Sequence, residues 1–108
     1  MKNSVNLIGY VGQDPEIKTL DNGVKLAKIR LATNDYYVTR DGERKEQTQW
    51  HTVVAWGKTA DVVERFVTKG RLLGVEGRLE YRNYENESGE KRYFTEIRAN
   101  EVLLLDKK

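Results

Sequence analysis

The side chains best equipped for chemistry in this sequence are rings and cations rather than acids and bases. Trp50 and Trp56 stand six residues apart in the run WHTVVAW. Side chains along a strand alternate sides, so Trp50, Thr52, Val54 and Trp56 share a face and the two indoles project the same way, about 20 Å apart. Flat surfaces at that spacing suit a ligand built as a string of planar units. Stacking of a nucleic-acid base on an aromatic ring is worth ~1–3 kcal/mol and is indifferent to which base it is. The same pattern admits a second reading, in which this face is the core. Tryptophan is usually well buried, and the opposite set, His51, Val53 and Ala55, is not markedly polar.

Further along, Tyr84 follows Arg78 and Arg82 in one parity, which sets a ring and two guanidiniums on the same side at the mouth of the last hairpin. Tyr36 and Tyr37 precede Arg40, Arg44 and Lys45 in a similar combination. Rings interleaved with cations suit an unpaired nucleic-acid strand, whose phosphates the cations would follow. Tyrosines in such places also serve as plain amphipathic packing.

Catalytic constellations are missing. There is no GxxxxGK phosphate loop, no GxGxxG turn after a strand and no GxSxG elbow. His51 is the sole imidazole. It lies in a strand-like run with no carboxylate or nucleophile pattern aimed at it, and reads as a buried or interface histidine rather than a general base. Cysteine is absent, so neither a disulfide nor a thiolate cage is available. The acids are scattered among basic residues, and nothing selects two of them as ligands. The expectation is a protein that is not an enzyme and needs no metal or cofactor.

These residues need a scaffold. A chain of 108 residues, 38% hydrophobic and 33% charged, has the length of one domain with a modest core. Nineteen Lys and Arg against 17 Asp and Glu leave a net charge of only +2, so any anionic partner must be recognised by how charge is distributed. No signal-like stretch opens the chain and no apolar run approaches the ~20 residues of a membrane span. A soluble, cytoplasmic protein is expected.

Alternation over Val5–Val11 predicts a first strand, ended by Gly12 and Gln13-Asp14-Pro15. The turn Asp21-Asn22-Gly23 leads into a second, Val24 to Thr33, where a change of parity near Leu26-Ala27 predicts a bulge. Residues 34–49 read as a long hairpin loop around Asp41-Gly42, with room for strand-like arms. Trp50–Trp56 is the third strand. A helix follows, capped by Thr59, burying Val62, Val63, Phe66 and Val67, and stopped by Gly70. Leu73–Tyr81 forms a half-buried fourth strand, and after the turn Glu87–Glu90 a fifth starts near Arg92. This order predicts an all-β chain, a five-stranded Greek-key OB-fold barrel with one α-helix between strands three and four. Other small barrels fit the same order.

Beyond its periodicities the chain resembles the bacterial single-stranded DNA-binding protein family. The likeness is carried by Val5-Asn6-Leu7-Ile8-Gly9 with Gly12-Gln13-Asp14-Pro15-Glu16, then Asn22-Gly23, Leu31-Ala32-Thr33, and Lys45 to His51 with its QTxWH core. Val53-Val54, Gly57-Lys58, Lys69-Gly70, Val75-Glu76-Gly77 and Arg92-Tyr93 complete it. The resemblance implies an OB-fold subunit of a homotetramer, covering residues 1–108 as a single domain, with single-stranded DNA wrapped over its outer face. By match to the family's positions, Tyr37, Trp50, Trp56 and Tyr84 are the base platforms. Lys18, Lys45, Lys58, Lys69, Arg82 and Arg92 are the phosphate contacts, and His51 belongs to a subunit contact. The family more often has Trp at Tyr37 and Tyr84, and often Phe at Trp56. Family members typically continue into a linker with an acidic tip that recruits replication and repair proteins; the resemblance keeps such proteins as candidate partners, although the usual acidic tail is absent from this sequence, which stops at Asp106-Lys107-Lys108. The implied role is to coat transient single strands at the nucleoid during replication, recombination and repair. An OB-fold specialised for RNA or for a primosomal protein contact, and a nuclease on the same barrel, are the rivals.

Overall fold

Apolar alternation is strongest where two strands can each bury one face, and those stretches form the barrel. In the computed structural model, which describes residues 3–85 and 87–106 apart from the side chains of Arg82, Tyr84, Arg92 and Tyr93, the chain runs β1 Val5–Val11, β2 Glu16–Thr19, β3 Lys25–Val38, β4 Arg44–Trp56, α1 Gly57–Phe66, β5 Leu72–Glu85 and β6 Lys91–Leu104. The strands hydrogen-bond in the order β1-β5-β6-β4-β3-β2, and β1 also meets β3 through Tyr10↔Ala32 and Val11↔Leu31. That last pairing closes five strands into a barrel and leaves β2 as a short flap on β3. Closure needs a close approach at Gly9, where a Cβ would lie 2.2 Å from the Ala32 carbonyl oxygen.

The inside is written by one parity of each strand. Ala27, Ile29 and Leu31 of β3 face Val53 and Ala55 of β4, with Leu73 and Val75 of β5 and Ile97 and Ala99 of β6 completing the core. The helix adds Ala60, Val63 and Val67. At ten residues it is too short to cross a membrane, and among the described residues no helix is long and apolar enough to do so.

Four expectations change. The β3–β4 ladder is unbroken from Leu26↔Trp56 to Val38↔Arg44, so there is no bulge at Leu26-Ala27. Leu26 changes parity because it lies against Trp56 outside the barrel. The irregularity sits instead between Glu76 and Gly77 of β5, whose partners step from Glu101 to Ala99. Residues 34–49 are mostly strand: the arms pair up to a tight turn in which the Gly42 N–H donates to the Thr39 carbonyl, and Gly42 holds φ at +85°. An aliphatic pattern is unnecessary there, since the two arms satisfy each other's backbone groups and neither face covers a core.

The helix starts at Gly57, directly after β4, with no side-chain cap, so Thr59 lies inside it. Gly57 makes the corner with φ +58°. The buried residues of the helix are Ala60 and Val63, followed by Val67 just past its end, while Val62 and Phe66 are exposed. The small Ala60 occupies the face that the larger side chains would otherwise claim. Finally, β2 is an additional strand, four residues long, too short to register as alternation.

Candidate nucleic-acid interface

The register of β3 with β4 decides which side the rings take. Inward pairs are Ala27/Ala55, Ile29/Val53 and Leu31/His51. The outward pairs are Leu26/Trp56, Lys28/Val54, Arg30/Thr52, Ala32/Trp50, Asn34/Thr48 and Tyr36/Glu46. Both indoles therefore lie outside the barrel, on the strand face that OB-folds use for oligonucleotides. Trp50 is 54% exposed. The edge of its six-membered ring rests over Gly12, where a Cβ would be 2.4 Å from Trp50 Cζ3. The absent side chain is what lets the ring edge come this close to the backbone that follows β1. The Arg30 guanidinium stands 5.7 Å from the centre of the ring.

Next to it opens a groove of about 480 Å³ lined by Gly12, Gln13, Glu16, Lys28, Arg30 and Trp50. Among the described residues neither Lys28 nor Arg30 has an acid within salt-bridge distance. Other cations are committed elsewhere. Lys25 Nζ bonds Glu64 at 2.6 Å and Asp61 at 3.2 Å, which fastens β3 to α1. Those two carboxylates hold the lysine above its ordinary pKa, Glu64 contributing more. Arg71 is bound to Asp106 at 2.8 Å and donates to the Phe66 carbonyl. Lys28 and Arg30 thus set two positive charges beside Trp50.

Trp56 lies on the same face but only half-exposed, with its Nε1 buried and without a hydrogen-bond partner among the described residues. Arg98 reaches over it from β6, 5.7 Å from the ring centre, and is also 4.0 Å from Glu80. Lys18 of β2 opposes Leu26 and so extends the Leu26/Trp56 row at its outer edge. Lys58 is exposed in the first turn of the helix, next after the Gly57 corner that follows Trp56. Lys69 is exposed in the turn before β5, where its N–H donates to Asp14.

The structure does not gather all the expected residues on one face. Tyr37 and Lys45 oppose each other in the inward parity of β3 and β4, beyond the end of the barrel, so they lie on the other side of the ribbon from Trp50. Lys45 Nζ is 3.1 Å from Glu43. The side chains of Tyr84, Arg82 and Arg92 lie outside the described residues. Their backbones pair as Tyr84↔Arg92 and Arg82↔Phe94. Lys28, Arg30 and Arg98 were not singled out in the sequence as phosphate contacts. The signal that finds them is parity: each alternates with a core residue, Ile29 or Ile97, and so must point outward beside a ring.

His51 is half-buried in the inward parity, and its Nε2 shares a 2.9 Å hydrogen bond with the Thr33 hydroxyl. A different exposed surface covers the outside of β1, β5 and β6. There Ile8, Gly74 and Leu103 form one row across three strands, and Leu105 packs over Gly74. Ile8 is 66% and Leu103 54% exposed.

Residues 2–105 match the Single-strand binding protein family. The chain belongs to that family, whose members are non-enzymatic DNA-binding proteins. Its relatives include the "Single-stranded DNA-binding protein" of Rickettsia felis, 44% identical over 112 residues, covering 98% of this chain and 74% of that protein. "Single-stranded DNA-binding protein 1" of Xylella fastidiosa is 41% identical over 107 residues, 98% and 79% respectively. The protein of that name from Chlorobaculum tepidum is 39% identical over 107 residues, and this chain spans 66% of its length. Among solved structures, the Plasmodium falciparum SSB in complex with ssDNA superposes with a TM-score of 0.91 at 33% identity, covering 98% of this chain and 97% of that one. A deletion variant of the single-stranded DNA-binding protein from Thermus aquaticus gives 0.86 at 33% identity, covering 96% and 50%. The expected OB-fold barrel with a helix after its third barrel strand is the fold found.

Proposed function

We propose that this family member binds single-stranded DNA through the outer face of β3 and β4, stacking unpaired bases on Trp50 and Trp56 while Lys and Arg side chains take the phosphates. One observation carries the reading. A large, half-exposed indole packs its ring edge against Gly12 and borders a groove whose Lys28 and Arg30 have no acidic partner among the described residues. Every base offers a π-face, so stacking of this kind holds a strand without strong sequence preference. Phosphate contacts release counterions, which makes the affinity fall as salt rises. Tyr84, Arg82 and Arg92 extend the contact toward the last hairpin, and Tyr37 and Lys45 meet DNA that crosses to the other side of the β3–β4 ribbon.

The subunit works as a homotetramer. The support is the Ile8, Leu103 and Leu105 surface, since a contiguous exposed aliphatic patch marks a contact with another protein, and a self-complementary patch is what a two-fold interface requires. His51, held by Thr33 in the inward parity, belongs to a subunit contact. Coating of transient single strands in the cytoplasm, during replication, recombination and repair, follows from the binding mode.

The test uses the two tryptophans as reporters. Titration with poly-dT should quench their emission strongly, and the apparent affinity should weaken steadily with added salt. Tight binding with unchanged emission would rule out stacking on Trp50 and Trp56.

A further inference from the structure

Tyr36 is a ring that no packing requirement explains. It is 57% exposed on a two-stranded arm that leaves the barrel, with no core beneath it. Yet it does not stand alone: the Arg44 guanidinium lies 4.6 Å from its ring centre. Parity puts Tyr36 on the same ribbon face as Trp50 and Trp56, opposite Glu46. That face therefore carries three aromatic–arginine pairs, Trp56 with Arg98, Trp50 with Arg30 and Tyr36 with Arg44. The arginines come from three different strands, β6, β3 and β4, so the repetition is not a by-product of one strand's alternation. We infer that Tyr36, steadied by Arg44, is a further base-stacking station, and that it leads bound single-stranded DNA off the barrel along one face of the β3–β4 hairpin. The inference rests on the DNA-binding reading above and adds a residue to it.

The geometry gives the station its place. The Ala32/Trp50 and Leu26/Trp56 rows are six residues apart, about 20 Å, and the Tyr36/Glu46 row lies four residues beyond Trp50, about 13 Å. A guanidinium against one side of the phenol ring is attracted by its quadrupole and fixes its orientation, leaving the other side for a base and a positive charge for the adjacent phosphate. Holding the ring before binding also lowers the ordering cost of the contact. Tyr37 has no such arrangement on this side. It opposes Lys45, and the Lys45 ammonium is occupied by Glu43 at 3.1 Å.

The test compares two labelled oligo-dT lengths near the extremes of the range an OB-fold occupies, about 4 and about 16 nucleotides, by fluorescence anisotropy. Tyr36→Ala should leave the short strand unaffected and weaken the long one about 5- to 150-fold, the range for one lost stacked base. Tyr36→Phe should keep the parental affinity and Tyr36→Leu should not, because only the former retains a π-face. Long-strand binding within twofold of the parent for both Tyr36→Ala and Tyr36→Leu would overturn the inference. If Trp50→Ala still weakens both lengths in that case, the general DNA face stands and only the hairpin station falls. If Trp50→Ala weakens neither, the DNA-binding face itself is wrong.

Discussion

Two outer surfaces of the same barrel expose large side chains, and they differ in what stands beside them. On β3 and β4 the rings of Trp50, Trp56 and Tyr36 are each accompanied by an arginine. On β1, β5 and β6 the exposed Ile8, Leu103 and Leu105 surround the bare backbone of Gly74 with no cation among them. The first surface offers planar faces with positive charge, the needs of an unpaired polyanion. The second offers flexible aliphatics, the needs of a protein surface that excludes water. Exposure alone would have equated them. The neighbouring charge separates them.

The sharpest way to break this contrast is to put a charge on the aliphatic side. Leu103→Asp should abolish self-association, because a further carboxylate beside Glu76 and Glu101 is left uncompensated in a closed contact and costs ~3–5 kcal/mol. Solution mass by light scattering should fall, while quenching of the tryptophans by a short oligo-dT persists. Loss of both together would mean that the two surfaces do not act separately. Truncating a ring on the other side comes next. Trp50→Ala should cost ~1–3 kcal/mol of DNA affinity with little change in melting temperature, whereas Trp56→Ala, whose ring is half-buried, should lower both. A melting temperature that drops equally for the two would assign Trp50 to packing.

The smallest effect concerns the end of β6, where Leu103 is followed by Leu105 just past the strand. Asp106 accepts from Arg71 at 2.8 Å and from the Leu72 N–H at 3.3 Å, and the Leu105 N–H donates to the Leu72 carbonyl. The Arg71 hydrogen bond, helped by the Leu72 N–H and opposed by partial desolvation, holds the Asp106 carboxyl below its ordinary value of 3.8. A depressed value in the folded chain adds stability above the unfolded value and loses it as the pH falls through the folded one. Asp106→Asn should therefore melt slightly lower than the parent at neutral pH, with the gap closing in acid. A gap that persists at pH 2 would show that the carboxylate charge is not what fixes this end.

Much of this is legible in the sequence, for a physical reason. Half-buried strands repeat every two residues, so Ile29, Leu31, Val53 and Val75 declare an inside, and the two indoles had to share a side. Which side was not readable, because Val54 stands between them and is itself covered, leaving both faces of β4 partly apolar. The side of Tyr36 and Tyr37 was hidden for another reason. Parity carries through a hairpin only if its arms are strands, and residues 34–49 have too few aliphatics to show it. Their order comes from backbone pairing, which leaves no mark in side-chain hydrophobicity. The helix was found but turned, since Ala60 is too small to stand out against Val62 and Phe66. The Ile8, Gly74 and Leu103 row joins three distant segments and becomes visible only once the sheet order is known.

Trp50 and His51 are consecutive, one reaching outward and the next inward. Sliding β4 past β3 by a single step would exchange an indole for an imidazole at every contact that depends on either. The long arm, with its ladder running on to Val38↔Arg44, acts as the pawl against that slip: each added rung past the barrel raises the penalty for misalignment. Shortening the hairpin would threaten the fidelity with which two unlike chemistries stay on opposite sides of one strand.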